Sequence, residues 1–150
     1  MATYSEGCSQ VGGFSYADRF TLYVELTETD VNIANNTSKI QYHCYCQSAD
    51  YGSISSRHEL IFKLNGQTIR EETVNVTASS PNALIEIASG TTGPITHNSD
   101  GSKSVYWYAG IGAETYGVQA YMDANSKGYF NLTNIPRYAT CNICKIKITF

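Results

Sequence analysis

Five cysteines are the first residues in the chain that could do chemistry: Cys8, Cys44, Cys46, Cys141 and Cys144. Cys44-x-Cys46 and Cys141-x-x-Cys144 together hold four thiols, the number that a tetrahedral zinc site takes. A strand puts Cys44 and Cys46 on one face, but a strand C-x-C is poor zinc geometry beside the C-x-x-C knuckle. A buried thiol that packs as a small hydrophobe explains the pair more simply. The expectation is no metal and no other cofactor. The odd count also argues against a disulfide framework, because Met1 to Gln10 lacks the basic and apolar stretches of a signal peptide.

The histidines, His43, His58 and His97, fall on separate elements. His97 opens the run His97-Asn98-Ser99-Asp100-Gly101, and it is expected to hydrogen-bond within that turn. Asn98, Asp100 and Ser102 alternate as oxygen donors. An EF-type calcium loop, however, needs a longer series that ends in a bidentate Glu. The turn reading asks less: Asp100 caps the turn with its own carboxylate and Gly101 supplies the permissive backbone. No G-x-S-x-G and no local Cys/His signature marks a nucleophile. Glu86, Glu114 and Asp123 could serve glycoside hydrolysis only as a pair across a cleft, and nothing in their spacing pairs them. No catalytic residue is assigned, and the chain is expected not to be an enzyme.

Sugar binding has the most positive support. It needs flat aromatic faces for the apolar side of a pyranose, with amides or carboxylates for the hydroxyls. Tyr106, Tyr108, Tyr116 and Tyr121 gather late in the chain, interleaved with Gln119 and Asp123. The competing explanation is that tyrosine is an ordinary half-buried strand residue, apolar in its ring and wet at its hydroxyl. Net charge is −3 and no basic stripe is present, which argues against a nucleic-acid partner. No run approaches the length of an apolar membrane helix, so no membrane partner is expected.

The elements that must carry these residues read as strands and turns. Charged residues are only 15% of the chain, against about 25% in an average domain. Phe20, Leu22, Val24 and Leu26 alternate with Thr21, Tyr23, Glu25 and Thr27, a clean period of two. Ile40, Tyr42, Cys44 and Cys46 share one face of the next strand, with Gln41, His43, Tyr45 and Gln47 on the other. Asp50 to Ser56 reads as a loop. Leu60, Phe62 and Leu64 lead into Asn65-Gly66, the strongest hairpin signal in the chain, and Gln67 to Val76 is the return strand. Ala83 to Ala88 is a short strand with Leu84, Glu86 and Ala88 on one face. Lys103 to Ile111 carries Trp107 inward as a core anchor. Tyr116 to Tyr121 and Lys127 to Leu132 are the last strands of the body, and Val118 to Asn125 is the best, though short, helix candidate. Pro136 cannot donate to a ladder and marks a boundary.

These elements predict an all-β chain, an immunoglobulin-like antiparallel β-sandwich of seven to eight strands. The expected divisions are an arm over 1–14, the sandwich over 15–137, and a terminal strand or the start of a following module over 138–150. Asn65, Gly66, Asp100 and Gly101 are the structural turn residues.

The Asn-Asn-Thr-Ser turn at Asn35 to Ser38, the run His97-Asn98-Ser99-Asp100-Gly101-Ser102-Lys103-Ser104, and the closing Leu132-Thr133-Asn134-Ile135-Pro136-Arg137 carry a resemblance. In this order they resemble the N-terminal region of a siphovirus minor structural or tail protein family of uncharacterised function, from phages of Gram-positive bacteria. The resemblance covers roughly residues 15 to 137. It implies a virion tail location, partners among other tail proteins, assembly as a homo-oligomer, and a part in recognising a host cell-wall polysaccharide. It implies no catalytic residues. Such proteins usually continue into further modules, and Cys141 and Cys144 are not a feature of the family. Two alternatives stand beside it: a bacterial cell-surface immunoglobulin-like adhesin module, and a cell-wall glycan hydrolase domain.

Overall fold

The structure, a computed structural model, describes residues 3–7, 9–11, 20–48, 52–113, 116–121 and 129–137. Among these residues it is all-β, with strands and turns and no helix. The strands are β1 (Thr3–Gly7), β2 (Ser9–Val11), β3 (Phe20–Asn32), β4 (Thr37–Ser48), β5 (Gly52–Leu64), β6 (Gln67–Ala78), β7 (Leu84–Thr91), β8 (Ile95–Thr96), β9 (Ser104–Val105), β10 (Trp107–Ala113), β11 (Tyr116–Tyr121) and β12 (Phe130–Asn131). They form two five-stranded antiparallel sheets. The first runs β1-β3-β4-β7, with β8 also paired to β4, and the second runs β2-β11-β10-β5-β6. β9 and β12 make a separate two-stranded ribbon.

The alternating sequence explains the core. Leu22, Val24 and Leu26 of β3 and Ile40, Tyr42, Cys44 and Cys46 of β4 are buried on one face of the first sheet. They share one core with Leu60, Phe62, Trp107 and Ile111 of the second sheet. The Tyr42 and Phe62 rings meet at 4.6 Å between centroids. Trp107 is fully buried among them. Cys44 is a free thiol inside this core, and burial, reinforced by the Glu72 and Glu86 carboxylates, pushes it up to about 12. The thiolate is the reactive form. Cys44 should therefore stay unmodified by iodoacetamide in the folded chain near pH ~8 and react once the chain is unfolded. Peptide mass mapping reads this directly, and equal labelling in both states would contradict the burial.

The Asn65-Gly66 pair makes the expected two-residue hairpin between β5 and β6. Leu64 stands opposite Gln67, and both turn residues have positive φ, 49° and 79°. That is the type I′ geometry that this dipeptide favours. The turn also acts at long range. Asn65 N donates to the Tyr106 carbonyl at 2.7 Å, and Tyr106 N donates to Asn65 Oδ1 at 2.9 Å. Tyr106 is thereby taken out of the ladder, and the strand expected over 103–111 is split into β9 and β10.

Three further local expectations are corrected. The segment read as a loop over 50–56 enters β5 at Gly52, because β6 is long enough to pair with it. Gly52 stands opposite Ala78 and Ile54 opposite Val76, and the pairing shifts register between Ile54 and His58. The start of the short helix candidate lies in β11, which extends to Tyr121. In β7 a bulge reverses the alternation. Cys44 pairs with Ala88 but Tyr45 pairs with Glu86, so one extra residue lies on β7. Ala88 turns into the core while Leu84 and Glu86 face outward.

Candidate functional site

The late tyrosines fall at ladder positions of both parities. Tyr106 is half-buried against the core, its ring 6.2 Å from that of Tyr129. Tyr108 is half-buried on the second sheet, with the Lys63 ammonium 5.4 Å above its ring. In the ladder Tyr121 stands opposite Tyr108 and Gln119 opposite Gly110, positions of one parity. Tyr116 stands opposite Ala113, a position of the other parity. Asp123 lies outside the described residues, as do Cys141 and Cys144. Among the described residues no three His, Cys, Asp or Glu side chains converge as metal ligands.

A different group of tyrosines does line a concavity. On the outer face of the first sheet, Tyr23 of β3 stands directly opposite Tyr45 of β4, and Glu25 opposite His43. Leu84 of β7 stands opposite Gln47, and Glu86 opposite Tyr45. Tyr23, Glu25, Tyr45, Gln47 and Leu84 enclose an open hollow of about 220 Å³. Leu84 is 56% exposed, large for an apolar side chain on a sheet face.

Hydrogen bonds hold the polar members in place. The Tyr23 hydroxyl donates to Gln47 Oε1 at 3.1 Å, and Gln47 Nε2 donates to the Asn82 carbonyl at 2.8 Å. Asn82 has φ 61°, so its carbonyl is presented from a turn. His43 stacks nearly parallel to Tyr45, its Nδ1 2.8 Å from Glu86 Oε2. Ser89 Oγ donates to the other oxygen of Glu86 at 2.9 Å. The hydrogen bonds from His43 and Ser89 hold the Glu86 carboxyl below its ordinary value. Partial loss of hydration, then the Glu25 and Glu86 carboxylates, push the Tyr45 hydroxyl the other way, upward. The face therefore keeps the Glu86 negative charge and a neutral Tyr45 phenol near neutral pH. Two aromatic rings, an amide, carboxylates and one apolar side chain can pack one face of a small polar ring and hydrogen-bond its substituents.

A second cluster is polar but sealed. His97 Nδ1 lies 2.9 Å from the Gly101 carbonyl oxygen, which can only accept, so Nδ1 carries the proton. His97 Nε2 then accepts from Ser38 Oγ at 2.7 Å. Glu28 Oε1 sits 3.7 Å from the same nitrogen, while Glu28 Oε2 accepts from Thr133 N at 2.7 Å. Asn36 Nδ2 donates to the carbonyls of His97 and Asn98, at 3.0 and 2.9 Å. Ser38 beside His97 has the contact of a nucleophile with its base. Ser38 and the side chains of His97 and Glu28 have 0% exposure, so the group has no access to a substrate. It fastens the β3–β4 hairpin to the turn at 97–101 and to the segment at 132–137.

Both groups left a trace in the sequence. The outward positions of two alternating strands already read Tyr23-x-Glu25 and His43-x-Tyr45-x-Gln47. Extending the inward alternation by one step places Glu28 after Leu26, and Ser38 before Ile40, on the buried face. No family model, no curated protein and no solved structure matches this chain.

Proposed function

We propose that the chain is an immunoglobulin-like β-sandwich module of a phage virion tail, and that it binds a host cell-wall polysaccharide through the outer face of its first sheet. The observation that carries the binding reading is the hollow between Tyr23 and Tyr45, with Glu25, Gln47 and Leu84 at its rim. Tail location rests on the sequence resemblance, which runs through the turn at Asn35 to Ser38 and the segment ending at Arg137. At about 220 Å³ the hollow is smaller than the roughly 300–1,000 Å³ typical of pockets for drug-sized ligands, so it suits one sugar ring of a polymer. Affinity then comes from repetition: several copies on one tail engage several repeats of one polymer. The separate face bearing Tyr108 and Lys63 is left for packing against neighbouring tail proteins.

A glycan array carrying Gram-positive wall polysaccharides tests this. The chain should bind at least one of them, and Tyr45→Ala should weaken that binding about tenfold, or about 1.4 kcal/mol. Because the Tyr45 side chain lies outside the core, the variant should fold normally. Binding that survives Tyr45→Ala would exclude the hollow. Binding to no polysaccharide would leave only the role in tail structure.

A further inference from the structure

The charge of the same hollow says more about its ligand, on the premise that it binds a saccharide. We propose that it takes an amino sugar whose amine is unblocked, with the ammonium held at Glu25 and Glu86 and the ring packed on Tyr45.

The argument starts from His43. Gln41 Nε2, an amide nitrogen that can only donate, lies 3.1 Å from His43 Nε2. That nitrogen is therefore the acceptor, and the ring proton sits on Nδ1, which faces Glu86 Oε2 at 2.8 Å. This tautomer follows from the hydrogen-bond network. Through Nδ1 the imidazole donates to one oxygen of Glu86. Ser89 donates to the same carboxylate. Glu86 is thus oriented and still anionic.

Glu25 lines the hollow itself, one pair along the ladder from Tyr23 and Tyr45. The charged and titratable groups on the described part of this face are Glu25, Glu86, His43, Tyr23, Tyr45 and Lys39. The lysine is occupied by Asp30 at 3.0 Å. Among the described residues no lysine or arginine lines the hollow. A phosphate or uronate polymer would meet like charge there, and a neutral sugar would leave the carboxylates without a cation. An ammonium matches them, and a cation beside the tyrosine faces gains further from the ring quadrupoles. The ring demands a flat partner with an apolar face, which a pyranose has and an extended lysine side chain lacks.

The test is calorimetry on the full chain below the pKa of the sugar amine, with three probes: a glucosamine tetramer, its N-acetylated counterpart, and tetralysine. The glucosamine tetramer should bind about tenfold tighter than the N-acetylated one. Glu25→Gln should remove about fivefold to tenfold of its affinity, the size of one charge-assisted hydrogen bond at a partly exposed site. The same change should leave the N-acetylated tetramer untouched, whereas Tyr45→Ala should weaken both. Equal binding of the two tetramers overturns the amine and leaves the saccharide reading intact. Tetralysine binding as tightly as the glucosamine tetramer, with no loss in Tyr45→Ala, overturns the sugar. Binding of none of the three, while a wall polysaccharide binds on the array, also overturns the amine. Failure on the array as well removes both readings together.

Discussion

Replacing Gly101 with alanine should destabilise the folded chain by about 3–5 kcal/mol, the sum of backbone strain and a clash with no relief. Gly101 has φ 86°, where a Cβ costs roughly 1–2 kcal/mol by itself. The added methyl would also collide with the Ile135 carbonyl oxygen and stand 2.9 Å from the Ile135 carbonyl carbon. These are backbone atoms and cannot rotate away. Ile135 is further pinned by its own N–H, which donates to the Gly101 carbonyl at 3.0 Å. The turn cannot shift to make room. Gly101 N donates to the Asn98 carbonyl and Asn98 N to the Ser102 carbonyl, while Asp100 Oδ1 accepts from both Ser102 N and Ser102 Oγ. Gly66 is the control. Its φ is 79°, but no atom of the described residues lies within 4 Å of where a Cβ would stand. Gly66→Ala should cost only the conformational part, about 1 kcal/mol. Urea unfolding separates the two: a large fall in midpoint at constant slope for Gly101→Ala, and a small one for Gly66→Ala. Similar midpoints for both would show that the segment ending at Arg137 is not held against the turn.

His97→Ala should cost about 3–5 kcal/mol, because it breaks two buried hydrogen bonds and leaves a void. The imidazole bridges Ser38 Oγ and the Gly101 carbonyl, and its Nε2 lies 3.7 Å from Glu28 Oε1, which has no hydrogen-bond partner among the described residues. Without it Ser38 loses its acceptor and Glu28 its neighbour. Glu28→Gln should behave differently. The amide oxygen can still accept from Thr133 N. Its cost should stay within about 1 kcal/mol, and combined with His97→Ala the two effects should depart from additivity by about 0.5 kcal/mol or more. A double-mutant cycle by urea unfolding measures this coupling. Strict additivity would mean that the two side chains do not sense each other at 3.7 Å.

How much of this was legible follows the range of the interaction. Leu22, Val24 and Leu26 inside, with Tyr23 and Glu25 outside, could be read from alternation, because a strand repeats every two residues whatever it pairs with. The Asn65-Gly66 turn was legible because its backbone demands are met by those two residues alone. The His97 hydrogen bond to the Gly101 carbonyl lies within five residues and was equally accessible. The bulge that turns Ala88 inward and leaves Glu86 outward was not, since it depends on how β7 meets β4 and not on β7 itself. The late tyrosines drew attention by density in the chain, yet Tyr116 takes the opposite ladder parity from Tyr121. Tyr23 and Tyr45 are separated by 22 residues and meet only because β3 and β4 pair in one particular register.

The sequence by itself determined an all-β chain, the inward and outward faces of β3 and β4, and the turns at Asn65-Gly66 and Asp100-Gly101. These are properties of local backbone preference and period. Only the tertiary structure decided which outward residues share a hollow, and that Glu28, Asn36, Ser38 and His97 form one sealed group. Both depend on pairings between strands distant in the chain, where a slip of one residue would exchange inside for outside. The cysteines that could do chemistry follow the same division: Cys44 and Cys46 share a face by period, and packing against the second sheet makes that face the core.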